Sequence, residues 1–154
     1  MSALAPPLPT TLTILNRIFA REKVSFLQYL KDAWVWTGAD GRAVWKEVSR
    51  MIDEEQKMLQ RLAEFIVRRK GVLATAAVDE RFTESHFVSL NHLLPRLVNY
   101  QQWLIQELEK DLAKLDDPEA RSLIEQMLQV KRNHLEKLRT LQQRYTPGQK
   151  DATR

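Results

Sequence analysis

The chain has 154 residues, a formal net charge of +4 and no cysteine, with 44% apolar and 29% charged residues. Those figures describe one globular domain with a core of its own. They exclude disulfides, zinc ribbons, thiolate clusters and a cysteine nucleophile. The first twenty residues lack the charged start and apolar run of a signal peptide, and no apolar stretch reaches membrane-spanning length, so a cytoplasmic protein without a membrane partner is expected.

Four glycines and six prolines are few for this length, and few turn residues mean few, long elements. Pro6, Pro7 and Pro9 mark an extended leader over residues 1–10. Leu12, Leu15, Ile18, Phe19, Phe26, Tyr29, Leu30 and Ala33 then recur at helical spacing, which predicts a first helix over 11–36. Thr37-Gly38-Ala39-Asp40-Gly41 reads as a tight link. Val48, Met51, Ile52, Leu59, Leu62, Phe65 and Ile66 predict a second helix over 42–69. Its end, Arg68-Arg69-Lys70-Gly71, sets cations on the negative helix terminus and a glycine where the chain must leave. A nucleic-acid site would be the bolder reading of that triplet, but it lacks an aromatic or phosphate-cradling companion.

A stretch from Gly71 to about Asp79 separates this helix from a third over 82–115, whose stripe runs Phe87, Leu90, Leu94, Leu97, Val98, Leu104, Ile105, Leu108, Leu112, Leu115. Pro95 lies inside that stripe and is expected to kink the helix or split it near Asn91. Asp117-Pro118-Glu119 supplies a cap candidate, a proline at the first helical position and an acid in the first turn. A fourth helix over 118–145 follows, on Ile124, Met127, Leu128, Leu135, Leu138, Leu141 and Tyr145. Pro147-Gly148 opens a polar tail over 146–154, which leaves residues 11–145 as the bundle domain.

The second link decides topology. About a dozen residues from Lys70 to Arg81 reach at most about 40 Å when extended, close to the length of about 42 Å expected for a helix over 42–69. The link can therefore run back along the bundle, so that the third helix starts beside the start of the second. Val72, Leu73, Ala76, Ala77 and Val78 suit a segment lying against a helix. The other two links are short and require antiparallel neighbours. An up-down-up-down bundle with a loose second loop is the alternative topology.

Five polar residues occupy positions that the stripes assign to the interior. Glu22 lies between Phe19 and Phe26, Glu55 between Ile52 and Leu59, and Gln101 between Val98 and Leu104. Lys131 and His134, three residues apart on one helix face, lie between Met127 and Leu138. Buried charges must meet one another, water or metal. A shared polar layer at mid-bundle is the economical arrangement. The plainer readings turn Glu22 or Glu55 to the bundle edge, let Lys131 snorkel to water, and leave Met51, Met58 and Met127 as core filler.

With these residues in view, the chain resembles the ferritin-like superfamily, including its bacterioferritin and Dps-related branches, over residues 12–145. The resemblance rests on Ala20-Arg21-Glu22 with Phe26-Leu27-Gln28-Tyr29-Leu30, on Asp53-Glu54-Glu55-Gln56-Lys57-Met58, on Leu93-Leu94-Pro95-Arg96-Leu97-Val98 and on Lys131-Arg132-Asn133-His134-Leu135. It implies an all-α, four-helix bundle with a long crossover between helices two and three. In the metal-binding members, helices one and three each give a glutamate and helices two and four each give Glu-x-x-His, holding two iron or manganese ions. By that match Glu22, Glu55 and His134 stand at metal-ligand positions. Met58 stands where the second helix would give histidine, Lys131 where the fourth would give glutamate, and Gln101 where the third would give glutamate.

A complete site sets four carboxylates against two divalent ions. Glu22 and Glu55 supply two negative charges, which Lys131 and a protonated His134 balance without metal. The expectation is a metal-free, salt-bridged layer with no cofactor and no catalysis, in a structural or interaction protein. The alternative is an iron- or manganese-binding oxidase or storage protein using Glu22, Glu55 and His134.

Other chemistry finds little support. No phosphate loop, nucleophile elbow or zinc signature is present, and His86 and His92 do not share a helix face. Asp53-Glu54-Glu55 reads as a solvated charge run. Trp34, Trp36 and Trp45 cluster around the first link and Trp103 stands apart, suiting either end-of-bundle packing or association with a protein partner. The resemblance implies a homodimer through the first two helices. With 24 basic residues interleaved among 20 acidic ones, no specific nucleic acid is expected.

Overall fold

The computed structural model describes residues 10–32, 39–77 and 89–145. Five helical segments are described, α1 (Thr11–Lys23), α2 (Phe26–Asp32), α3 (Ala39–Arg68), α4 (Leu90–Ala113) and α5 (Pro118–Tyr145). They make four bundle helices, because α1 and α2 are two pieces of the first. The leader up to Pro9, the tail, Trp34, Trp36 and His86 lie outside the described residues.

The first helix is interrupted where 11–36 was expected to be continuous. Thr10 caps α1 through its hydroxyl, and the segment closes at Val24. Ser25, itself buried, restarts the helix: its Oγ accepts from the Gln28 amide at 3.3 Å and its carbonyl from the Tyr29 amide at 2.9 Å. A serine able to cap interrupts a stripe that the apolar spacing alone carries straight through.

The expected link over residues 37–41 is also shorter at its end, since Ala39, Asp40 and Gly41 belong to α3. At the far end of α3 the Gly71 amide donates to the Ile66 carbonyl at 2.8 Å and the Lys70 amide to the Val67 carbonyl at 2.9 Å. This is a Schellman closure in which Lys70, at φ 65°, takes the left-handed position usually given to glycine. Gly71 is needed for space instead. A Cβ there would lie 2.8 Å from Ile66 Cγ2 and 3.3 Å from Leu12 Cδ2.

Contacts along the helices fix their directions. Gly71, just beyond α3, lies against Leu12 near the start of α1, so α3 runs antiparallel to α1. Arg21 of α1 reaches Asp111 late in α4, whereas Phe26 meets Tyr100 earlier in α4, so α4 is also antiparallel to α1. Helices α3 and α4 are therefore parallel. Arg69 reaches Asp117 while Glu55 reaches Lys131, which makes α5 antiparallel to α3. The result is up, down, down, up, the topology that needs a long crossover and excludes the up-down-up-down alternative.

The crossover starts back along α1 as expected, with the Ala74 amide donating to Asn16 Oδ1 at 3.0 Å. Its apolar side chains do not make the contact, for Val72, Leu73, Ala76 and Ala77 are exposed. The backbone and Gly71 do. The third helix, expected over 82–115, is described from Leu90 and runs unbroken through Pro95 to Ala113. Pro95 thus falls in the second turn, where the carbonyl lacking its usual donor belongs to Asn91 at the helix start, and no split occurs. The fourth helix has the expected bounds, capped by Asp117 Oδ1 on the Ala120 amide at 3.0 Å.

Inward stripes from all five segments form one core, from Ile14 and Ile18 through Met51, Met127 and Leu138. Met51, Met58 and Met127 all belong to it. No helix among the described residues is long and apolar enough to cross a membrane.

Candidate functional site

At mid-bundle each helix gives a polar side chain to the interior. Glu22 comes from α1, Glu55 from α3, Gln101 from α4, and Lys131 with His134 from α5, all buried. Neither glutamate turns to the bundle edge, and Lys131 does not reach for water. Its Nζ lies 2.6 Å from Glu22 Oε2 and 2.6 Å from Glu55 Oε1. Gln101 Nε2 donates to Glu55 Oε2 at 2.9 Å and to the Lys131 carbonyl at 3.3 Å. His134 Nδ1 lies 2.7 Å from Glu55 Oε2.

The other histidine nitrogen, Nε2, lies 2.7 Å from Glu54 Oε2. Glu54 is half exposed, so it joins the buried layer to the surface. Of the expected solvated run Asp53-Glu54-Glu55, Asp53 is exposed, Glu54 is half exposed and bonded to His134, and Glu55 is buried. Glu55 lies about 100° further round the helix than Glu54, and the imidazole bridges the two. Each ring nitrogen of His134 thus faces a carboxylate oxygen at 2.7 Å.

The two buried glutamates respond differently to one environment. Burial is the largest influence on both, pushing each carboxyl up, and Lys131 opposes it in both cases. For Glu22 burial wins, helped by the nearby Glu55 charge, and the carboxyl stands above its ordinary value. For Glu55 the ammonium acts together with His134, and the carboxyl falls to about 2. Lys131, despite burial that would lower it, is held above the ordinary lysine value by both glutamates. The His134 hydrogen bond draws Glu54 below the ordinary glutamate value.

A second buried pair was not singled out from the sequence. Arg21 donates to Asp111 at 2.8 Å with both side chains largely buried. The signal was available, since Asp111 follows the stripe residue Leu108 by three positions. The expected cation cluster at the end of α3 is engaged too: Arg69 meets Asp117 at 2.9 Å and Glu119 at 2.8 Å. His92 is exposed and belongs to no such cluster among the described residues.

The ferritin-like domain family model matches the chain over residues 12–146. Together with the all-helical bundle and its crossover, this match places the chain in the ferritin-like family. No curated protein and no solved structure matches it significantly.

That family implies two metal ions at this level, and the donors present do not fit them. An ammonium sits between the two buried carboxylates, where it repels a cation. Both His134 nitrogens lie 2.7 Å from carboxylate oxygens, so a cation reaching the ring from the layer would have to displace the Glu55 contact. Gln101 presents its amide donor, and Met58 Sδ faces Arg61 at 3.6 Å. Among the described residues no group of three or more histidine, aspartate or glutamate side chains is arranged to hold a metal ion.

Proposed function

We propose that this chain is a ferritin-like bundle that dispenses with metal at its centre, uses Lys131 as the internal counter-ion, and serves as a structural or interaction protein rather than an oxidase or a metal store. The observation that supports this reading most is the position of Lys131 Nζ, 2.6 Å from both Glu22 and Glu55. A cation bound there would have to displace the ammonium and leave it buried without partners, a large penalty.

The test is anaerobic loading with iron(II) or manganese(II), followed by desalting and metal analysis. The proposal expects no stoichiometric metal, and two equivalents per chain would overturn it. One equivalent lost on Glu22→Gln and on Glu55→Gln would favour the second reading, a single ion on Glu22, Glu55 and His134.

A second copy of the chain is the partner this reading favours. Sedimentation velocity at micromolar concentration is expected to give a dimer, and a clean monomer would turn the search toward a different protein. Trp103, 44% exposed on α4 and so outside the first two helices, offers aromatic area for a protein partner of another kind.

A further inference from the structure

The central layer leaves two buried groups one partner short. An ammonium carries three protons. Glu22 Oε2 and Glu55 Oε1 take two of those on Lys131, at 2.6 Å each. On the other side of the same pair, Glu22 Oε1 is buried without a hydrogen-bond partner among the described residues. A spare donor and a spare acceptor thus lie next to each other, in a helical core where neither can turn to solvent.

Both groups line one small cavity, walled by Met58, Met127 and Val130, with Glu55 also at its surface and a free volume of about 10 Å³. A water needs at least about 10–15 Å³ when space is counted as room for its centre, so this cavity stands at the lower bound for one water and excludes anything larger. We infer that this cavity is a binding site for a single ordered water, which accepts the third proton of Lys131 and donates to Glu22 Oε1. The inference rests on the metal-free reading of the layer. Glu55 also lines this space, and the two partners on Lys131 and Glu22 already lie within the two to four that buried waters make.

Other occupants fail on size or charge. A divalent cation needs several oxygen ligands and would sit beside an ammonium. An anion would face two carboxylates. An apolar molecule would leave the donor and the acceptor unmatched. Water alone completes both, adding a second bridge between Lys131 and Glu22 beside their direct ion pair.

A crystal structure of the unmodified protein at high resolution decides the site. The expected result is one water within hydrogen-bond distance of Lys131 Nζ and Glu22 Oε1. Oxygen-17 magnetic relaxation dispersion should show one fewer long-lived internal water in Val130→Leu, which fills the cavity from its apolar wall, and an unchanged number in Glu22→Gln, which keeps a polar atom there. A dry cavity with Lys131 still bonded to both glutamates overturns the water site and leaves the metal-free layer standing. An anomalous scatterer at the site, with Lys131 displaced, overturns both.

Discussion

Two ion clusters join α3 to α5, one at mid-bundle and one at its end, and their contact geometry is much alike. At the centre Lys131 lies 2.6 Å from Glu55, while at the end Arg69 lies 2.9 Å from Asp117 and 2.8 Å from Glu119. Their surroundings differ completely. Lys131 and Glu55 are buried, whereas Arg69 and Glu119 have side chains 38% and 62% exposed. In water an ion pair replaces good hydration with a contact of similar worth, so the gain is small. In the core each charge has lost its hydration, and its partner is then indispensable. The comparison teaches that distances alone do not rank these contacts; solvent does.

The largest expected effect breaks the central cluster. Lys131→Met leaves Glu22 and Glu55 buried without their cation, and a loss of about 3–5 kcal/mol is expected on removing one partner of such a pair. Urea denaturation with an unchanged slope measures it. A loss no greater than that of an exposed charge would erase the distinction between the two clusters. Glu22→Leu added to Lys131→Met should recover most of the loss, because one charge of each sign has then gone and Glu55 keeps His134 and Gln101. The recovery, read as a coupling between the two substitutions, separates an unpaired charge from a missing contact.

Acid titration gives the next effect. Glu55 stands at about 2 against an ordinary value of 4.5, so its contribution is present above 4.5 and lost as pH falls from there toward 2. A depression of that size is worth about 3 kcal/mol. Glu54, also lowered, adds to the same limb. Glu22 works in the opposite sense: its raised value means a contribution fully present below 4.5 and lost as pH rises through the folded value. Glu55→Gln should therefore flatten the stability profile below pH 4.5, and Glu22→Gln should flatten it above. Chemical denaturation across pH checks both. Equal profiles for the two variants would show that the glutamates are equivalent, against their different partners.

The contrast between clusters also shows what a single sequence makes legible. The bundle, its crossover and the central layer were readable because burial imposes a period, and Glu22, Glu55, Gln101, Lys131 and His134 break that period on the inward face. The break at Ser25 was not read, because a cap acts over three residues and leaves the apolar spacing intact. Glu54 was missed for a related reason. Its backbone position is on the solvent face, and only the side chain's reach to His134 brings it into the layer. The role of Gly71 depends on Ile66 and Leu12, the latter distant in the chain, so local reasoning assigned it to the helix cap that Lys70 fills. Asp111 shows the limit from the other side: the period marked it as inward, and its partner Arg21 lies ninety residues away.

The smallest effect belongs to the end cluster, where charge and cap can be separated. Asp117 Oδ2 accepts from Arg69 Nη1, while Oδ1 accepts from the Ala120 amide at the first turn of α5. Asp117→Asn removes the charge and keeps an oxygen able to cap, whereas Asp117→Ala removes both. If solvent has weakened the ion pairs as the comparison requires, Arg69→Ala and Asp117→Asn should move the denaturation midpoint little, and their effects should shrink further in molar salt. Asp117→Ala should cost more than either and should keep its effect in salt, since a hydrogen bond to an otherwise unpaired helix amide is not screened as a surface charge is. A loss in Asp117→Asn as large as in Asp117→Ala, and equally salt-sensitive, would mean that the exposed ion pairs hold α5 to α3 after all, and that burial is not what separates the two ends of this comparison.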